Sequence, residues 1–80
     1  FEVNEAFSSQ SIATISELGL DAERVNIHGG AIAIGHPLGA SGARILGQAT
    51  SLLEITSGFR AMALMCIGGG MGIGVAIERL

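Results

Sequence analysis

Residues 26–42 read N-I-H-G-G-A-I-A-I-G-H-P-L-G-A-S-G and hold five glycines and the only proline of the chain. Glycine is entropically costly in helix and strand alike, and Pro37 pushes His36 away from helical backbone angles. The stretch is therefore expected to be an ordered, close-packed loop. Ser41 stands where a helix N-cap would be, and residues 43–55 carry apolar side chains at 45, 46, 49, 52 and 53, one face of an amphipathic helix. The loop thus delivers His36 to a helix N-terminus, whose positive dipole end disfavours imidazolium. A neutral imidazole there can accept a proton.

Working outward toward the N-terminus, Phe1 to Val3 reads as the end of an extended segment. Asn4 then suits an N-cap and Glu5 a first turn, so a helix is expected to open at Asn4-Glu5-Ala6-Phe7, with Ile12, Ile15 and Leu18 as its buried stripe and Gly19 as its stop. Asp21 to Arg24 is a short polar connection. On the other side of the loop the second helix ends near Ser57-Gly58. Phe59 to Cys66 is an apolar run suited to a strand covered on both faces, and Gly68-Gly69-Gly70 turns it round. Ile73, Val75 and Ile77 then alternate with Gly72, Gly74 and Ala76, which makes an antiparallel hairpin. The order is strand, helix, loop, helix, strand, strand, an α/β piece.

Composition narrows what this piece serves. Eighty residues make at most one small domain, and such a chain buries only about 60% of its unfolded surface. A start at Phe1, inside a strand, suggests part of something longer. Net charge −3, with all four basic residues arginine, argues against a nucleic-acid partner. One cysteine permits no internal disulfide, and no signal peptide is visible. Residues 61–77 are uncharged, with glycines at GxxxG spacing, but a spanning helix needs roughly 20 apolar residues and tolerates few glycines, so no membrane span is expected.

Asn4, His28, His36 and Cys66 are the polar groups set in apolar, glycine-rich surroundings. A thiol and an imidazole are common members of proton-transfer and acyl-transfer sites, and bare glycines let backbone N–H groups approach a reacting oxygen. Plainer roles compete: Asn4 as a helix cap, Cys66 as a small buried hydrophobe, the histidines as core groups bonded to carbonyls, the glycine run as a tight turn. A phosphate loop needs the lysine this chain lacks. G-x-G-x-x-G and G-x-S-x-G patterns are absent, and two histidines with one cysteine do not make a zinc site. From the residues alone, the chain is a proton-transfer or acyl-transfer half-site.

Three runs carry a more specific likeness. Asn4-Glu5-Ala6-Phe7, the loop of residues 26–42 and Cys66-Ile67-Gly68-Gly69-Gly70-Met71-Gly72 stand in the order of the three C-terminal signatures of thiolases, and the chain is similar to the biosynthetic members. The resemblance implies an acyltransferase that condenses two acetyl-CoA units or cleaves 3-ketoacyl-CoA with CoA. It implies that His36 activates a nucleophilic cysteine from an N-terminal half and points its ring at the thioester oxygen. Asn4 would hold a water completing that oxyanion hole, Cys66 would move the α-proton, and the Gly68 N–H would serve a second oxyanion hole.

It also implies acyl-CoA and CoA as substrates, no cofactor, no metal, the missing N-terminal half as partner, and a homo-oligomer. The compartment would be cytoplasmic, or mitochondrial or peroxisomal in a eukaryote. In fold, residues 1–80 would be an incomplete C-terminal domain holding the third, fourth and fifth strands of a five-stranded mixed sheet, with the first two strands between the Phe1 segment and the hairpin. Leu64 replaces a small residue and is expected to crowd the sheet. An inactive thiolase-like binding or structural piece is the alternative, and a membrane-associated segment a third.

Overall fold

The computed structural model describes residues 1–80. β1 (Glu2–Val3) leads to α1 (Ser8–Glu17), a 3-10 turn (Ala22–Arg24), the one-turn α2 (Ala31–Ile34), α3 (Leu38–Ile55), β2 (Arg60–Ile67) and β3 (Met71–Glu78). The sheet order is β1-β2-β3, parallel between β1 and β2 and antiparallel within the β2–β3 hairpin. This is the expected mixed α/β order. One part of the expectation is overturned: β1 pairs directly with β2, Glu2 opposite Ala63 and Val3 opposite Leu64, so no strand lies between them.

Alternation sorts the side chains onto two faces. Glu2, Asn4, Ala63 and Met65 face α3, and a Cβ built on Gly42 of α3 would lie 3.7 Å from the Met65 sulfur. Ile45, Ala49, Leu52 and Leu53 of α3 are buried against this face with Ala63, four of the five stripe residues expected from the sequence; the fifth, Leu46, is exposed, and Val3 is buried on the opposite face beside Leu64. Leu64, Cys66 and Gly72 lie on the opposite face, in a groove they share with Gln10, Thr14 and Leu18 of α1. Leu64 fits because Gly74 stands across from it: a Cβ on Gly74 would come within 2.8 Å of a Leu64 methyl. The expected crowding is absent, since glycine leaves the space.

Helix ends differ from the sequence reading where tertiary contacts outbid local capping. α3 starts at Leu38 with Pro37 as N-cap, not at Ala43, because proline's fixed φ suits a helix entry. Ser41 is therefore inside the first turn. α1 begins at Ser8 with Phe7 as N-cap, and Asn4 is not a cap. Its C-terminus follows expectation: Gly19 has φ +60°, Gly19 N–H donates to Ser16 and Leu20 N–H to Ile15, a Schellman closure. Part of the glycine loop does form helix, the single turn Ala31–Ile34, whose Ala33, Ile34 and Gly35 amides bond to Gly30 and Ala31.

Two burial expectations are also corrected. Ile12 and Leu18 are more than half exposed, and the buried residue of α1 is Ser11. In β2 only Ala63 is buried, so the strand is not covered on both faces. Only twelve of the eighty residues are buried, while Phe7, Ile34, Leu38, Phe59 and Met71 stand largely in solvent. Exposed apolar area on this scale promotes association. The isolated 80 residues are accordingly expected to melt broadly, with a midpoint that rises with concentration; circular dichroism at two concentrations with sedimentation velocity checks this, and a sharp, concentration-independent transition contradicts it.

Candidate functional site

Two parallel strands, β1 and β2, end at the same side of the sheet, and the chain leaving each one carries a candidate residue. Asn4 follows Val3, and Cys66 and Gly68 close β2 and open the turn. Open sheets bind ligands outside the carboxyl ends of their parallel strands, where two chains diverge. The Asn4 N–H donates to the Leu64 carbonyl at 2.8 Å, which ties its position to the strand that bears Cys66.

Asn26 holds the other edge of β1. Its side chain accepts from Val3 N–H at 2.8 Å and donates to Val3 O at 2.9 Å, as a third strand would, while its own N–H bonds to Phe1 O. Asn26 has φ +49°, a left-handed angle that asparagine tolerates. Glu5 secures the same loop from the front, accepting from Asn26 Nδ2 at 3.2 Å and from Ile32 N–H at 3.1 Å. A Cβ on Gly30 would overlap the Glu5 carboxylate. Gly30→Ala is therefore expected to push the Glu5 carboxylate, the mobile end of its side chain, off Asn26 and Ile32 and to cost about 1 kcal/mol, the net worth of a typical hydrogen bond; urea unfolding measures it, and a loss below about 0.5 kcal/mol, roughly the size of ordinary surface changes, refutes the clamp.

The loop then places His36, half-buried, at the entry to α3. Its Nδ1 lies 2.5 Å from the Ser41 hydroxyl, which also donates to the Pro37 carbonyl at 3.1 Å. A hydroxyl has one proton. With that proton on Pro37 O, Ser41 becomes the acceptor of an Nδ1–H, and Nε2 keeps its lone pair. The Asn4 side chain is fully buried and its Nδ2 stands 3.4 Å from both ring nitrogens. Arg44, one turn beyond Ser41 on α3, donates from Nη2 to Asn4 Oδ1 at 3.3 Å. Buried Glu2, two residues before Asn4 on the same strand face, has both carboxylate oxygens without a hydrogen-bond partner. Burial pushes its carboxyl above the usual glutamate value, against the lowering pull of the Arg44 charge.

Of the four residues expected to form the site, Asn4 and His36 are thus in direct contact. Cys66 is not joined to them: it is half-buried in the α1-side groove of about 490 Å³, which neither Asn4 nor His36 lines. Gly68 sits on the open turn, its N–H without a backbone acceptor and nothing within 4 Å of where a Cβ would be. His28 bonds only to Gln48. The larger groove, about 520 Å³, is at the other end of the sheet, between Phe1, Leu53 and Phe59, and contains no histidine or cysteine. No cluster of three His, Cys, Asp or Glu side chains could hold a metal ion, and no helix is long and apolar enough to cross a membrane.

Sequence reasoning missed Ser41 as the His36 partner, because it suited an N-cap. It also missed Arg44 and Glu2, for which two signals were available: an arginine at 44 among the small and apolar residues of the first half of α3, and a glutamate in an apolar strand.

Comparison with known proteins adds a family. Residues 1–79 match the model described as thiolase, C-terminal domain. The chain is 58% identical over 79 residues to the cytosolic acetyl-CoA acetyltransferase of Rattus norvegicus, 54% over 81 residues to beta-ketoadipyl-CoA thiolase of Pseudomonas aeruginosa, and 52% over 79 residues to acetyl-CoA acetyltransferase of Escherichia coli. Each match covers 99% of this chain and 20% of the relative, so the chain spans about a fifth of the length of these curated relatives.

Proposed function

We propose, from the premise that this chain belongs to the thiolase family through its C-terminal domain, that it supplies the acid–base half of an acyltransferase site. The substrates are acyl-CoA and CoA, and the reaction is condensation of two acetyl-CoA or thiolysis of a 3-ketoacyl-CoA. The observation that carries the reading is the His36–Asn4 contact at the carboxyl ends of the parallel strands. A thiolase needs a base beside an oxyanion donor at one point, and these two side chains provide both.

The acyl-carrying cysteine is contributed by a segment outside these residues, since Cys66 is the only one here and has another role. His36 Nε2, with its lone pair free, takes the proton of that thiol, and the thiolate attacks the thioester carbonyl. The C–S bond to CoA breaks, and Cys66 gives its proton to the departing CoA thiolate. Nε2 now carries a proton and becomes a donor, the polarity an enolate oxygen requires. The Cys66 thiolate removes the α-proton of the second acetyl-CoA, while His36 and a water on Asn4 hold the enolate oxygen. The new carbanion attacks the acyl carbonyl, whose oxygen is met by the Gly68 N–H. A C–C bond forms, the nucleophilic thiolate leaves, and His36 returns its proton. Two acetyl-CoA have become acetoacetyl-CoA and CoA.

Acyl preference is set outside this segment, because relatives named for acetyl-CoA and for beta-ketoadipyl-CoA resemble the chain almost equally. A cytosolic setting is supported by the named rat relative. Assembly as a homo-oligomer would cover the apolar surface exposed here.

The test is thiolysis of acetoacetyl-CoA by the full-length Escherichia coli relative with these residues in place of its matching fifth. Turnover within about tenfold of the parent supports the reading. A folded, CoA-binding chimera without turnover overturns it and leaves a non-catalytic thiolase-like domain.

A further inference from the structure

The Asn4–His36 pair works in one orientation only. An asparagine side chain can present either its oxygen or its NH2 to a neighbour, by a half-turn about its last bond. Facing a ring nitrogen that holds a lone pair, or a water that must be held as a donor to an oxyanion, these two orientations are not equivalent. Burial alone does not choose between them. The neighbour on the far side does: Arg44 reaches Asn4 Oδ1 with Nη2 at 3.3 Å. A guanidinium has five donors and no acceptor, so it accepts the oxygen end and rejects the NH2 end.

We propose that Arg44 is a positioning residue that fixes the Asn4 amide with Oδ1 toward α3 and Nδ2 toward His36, and so presets the polarity of the His36 site. The proposal rests on the reading of His36 and Asn4 as site residues. Three features of the fold keep Arg44 in this place. It follows Ser41 by three residues on α3, so the helix turn that holds His36 through Ser41 also holds Arg44. Its Nε is buried, which limits how far the side chain can swing into water. Glu2, buried two residues before Asn4 on the same strand face, offers a carboxylate on which Arg44 exerts the largest favourable charge effect of any residue. Strand, loop and helix therefore meet at one amide.

The experiment is a double-mutant cycle in full-length enzyme carrying this segment, with kcat and KM for acetoacetyl-CoA thiolysis as readouts. Asn4→Ala sets the reference loss. Arg44→Met is expected to lower kcat by about tenfold with KM changed less than twofold, and to add less than a further twofold in the Asn4→Ala background. A role limited to packing or to neutralising Glu2 would instead give losses that multiply. Multiplying losses, or an Arg44→Met enzyme within twofold of the parent while Asn4→Ala is impaired, overturn the proposal.

If Asn4→Ala itself keeps full kcat, the site reading fails first and the positioning role falls with it. Should the Met variant not fold, the cycle is run with Arg44→Lys, which keeps a donor without the planar fork; a smaller loss that vanishes in the Asn4→Ala background supports the proposal, and an additive loss again refutes it.

Discussion

Cys66→Ala is expected to reduce thiolysis and condensation by about 10³-fold, within the range for loss of a positioned acid–base group. The substitution is small. The Cys66 thiol makes no hydrogen bond in the fold, is only half-buried, and lies next to an open turn, so neither a lost contact nor a large cavity accompanies it. Fold stability should fall by no more than about 1 kcal/mol, roughly one methylene-sized group. The distinguishing readout is incorporation of solvent deuterium at the α-carbon of acetyl-CoA, which requires only the proton-transfer step. It should disappear in Cys66→Ala and stay very low in Cys66→Ser, because a hydroxyl is a far weaker acid than a thiol. An alanine variant that keeps more than a tenth of the exchange would remove Cys66 from the mechanism.

Loss of the imidazole is expected to act on both halves of the reaction. In His36→Ala the nucleophilic thiol loses its base, and acylation by acetyl-CoA should slow by about 10²–10⁴-fold. Asn4 and Ser41 both lose a partner, so a stability loss of about 1–3 kcal/mol from unsatisfied buried groups is expected alongside. His36→Asn separates the two roles assigned to the ring. An amide can donate to an oxyanion but cannot take a proton at neutral pH, so condensation starting from chemically acylated enzyme should partly recover while acylation does not. Equal recovery of both steps would mean that His36 is a hydrogen-bond donor and not a base. A fast acylation in His36→Ala would exclude the residue from nucleophile activation altogether.

Much of the site was visible in the order of residues. The runs beginning at Asn4, at Asn26 and at Cys66 stand at the ends of β1, of the loop and of β2, as their sequence context implied. Patterns of period two and of 3.6 located the hairpin and, apart from the exposed Leu46, the buried stripe of α3, because those periods follow from backbone geometry alone. Capping was the weaker guide. Asn4 and Ser41 have the chemistry of caps, and the same short polar side chains that cap helices also bind neighbouring side chains. In the folded chain Arg44 and His36 claim them instead.

Stripe arguments failed on α1 for a related reason. Periodicity identifies which residues share a face, but whether that face is covered depends on what packs there, and Ile12 and Leu18 remain in solvent.

The sequence by itself therefore determined the element order, the family, and the identity of the candidate chemical groups, each of which depends on residues near one another along the chain. Tertiary structure alone decided which of these groups meet. The Asn4–His36 contact spans 32 positions and the Arg44–Asn4 bond 40. Such contacts arise because β1 pairs with β2 and α3 lies across both, a register set by the summed burial of Val3, Ala63, Ile45, Ala49 and Leu53. Burial of that kind is non-directional and collective, so no local pattern encodes which polar atoms it will bring to within hydrogen-bonding distance.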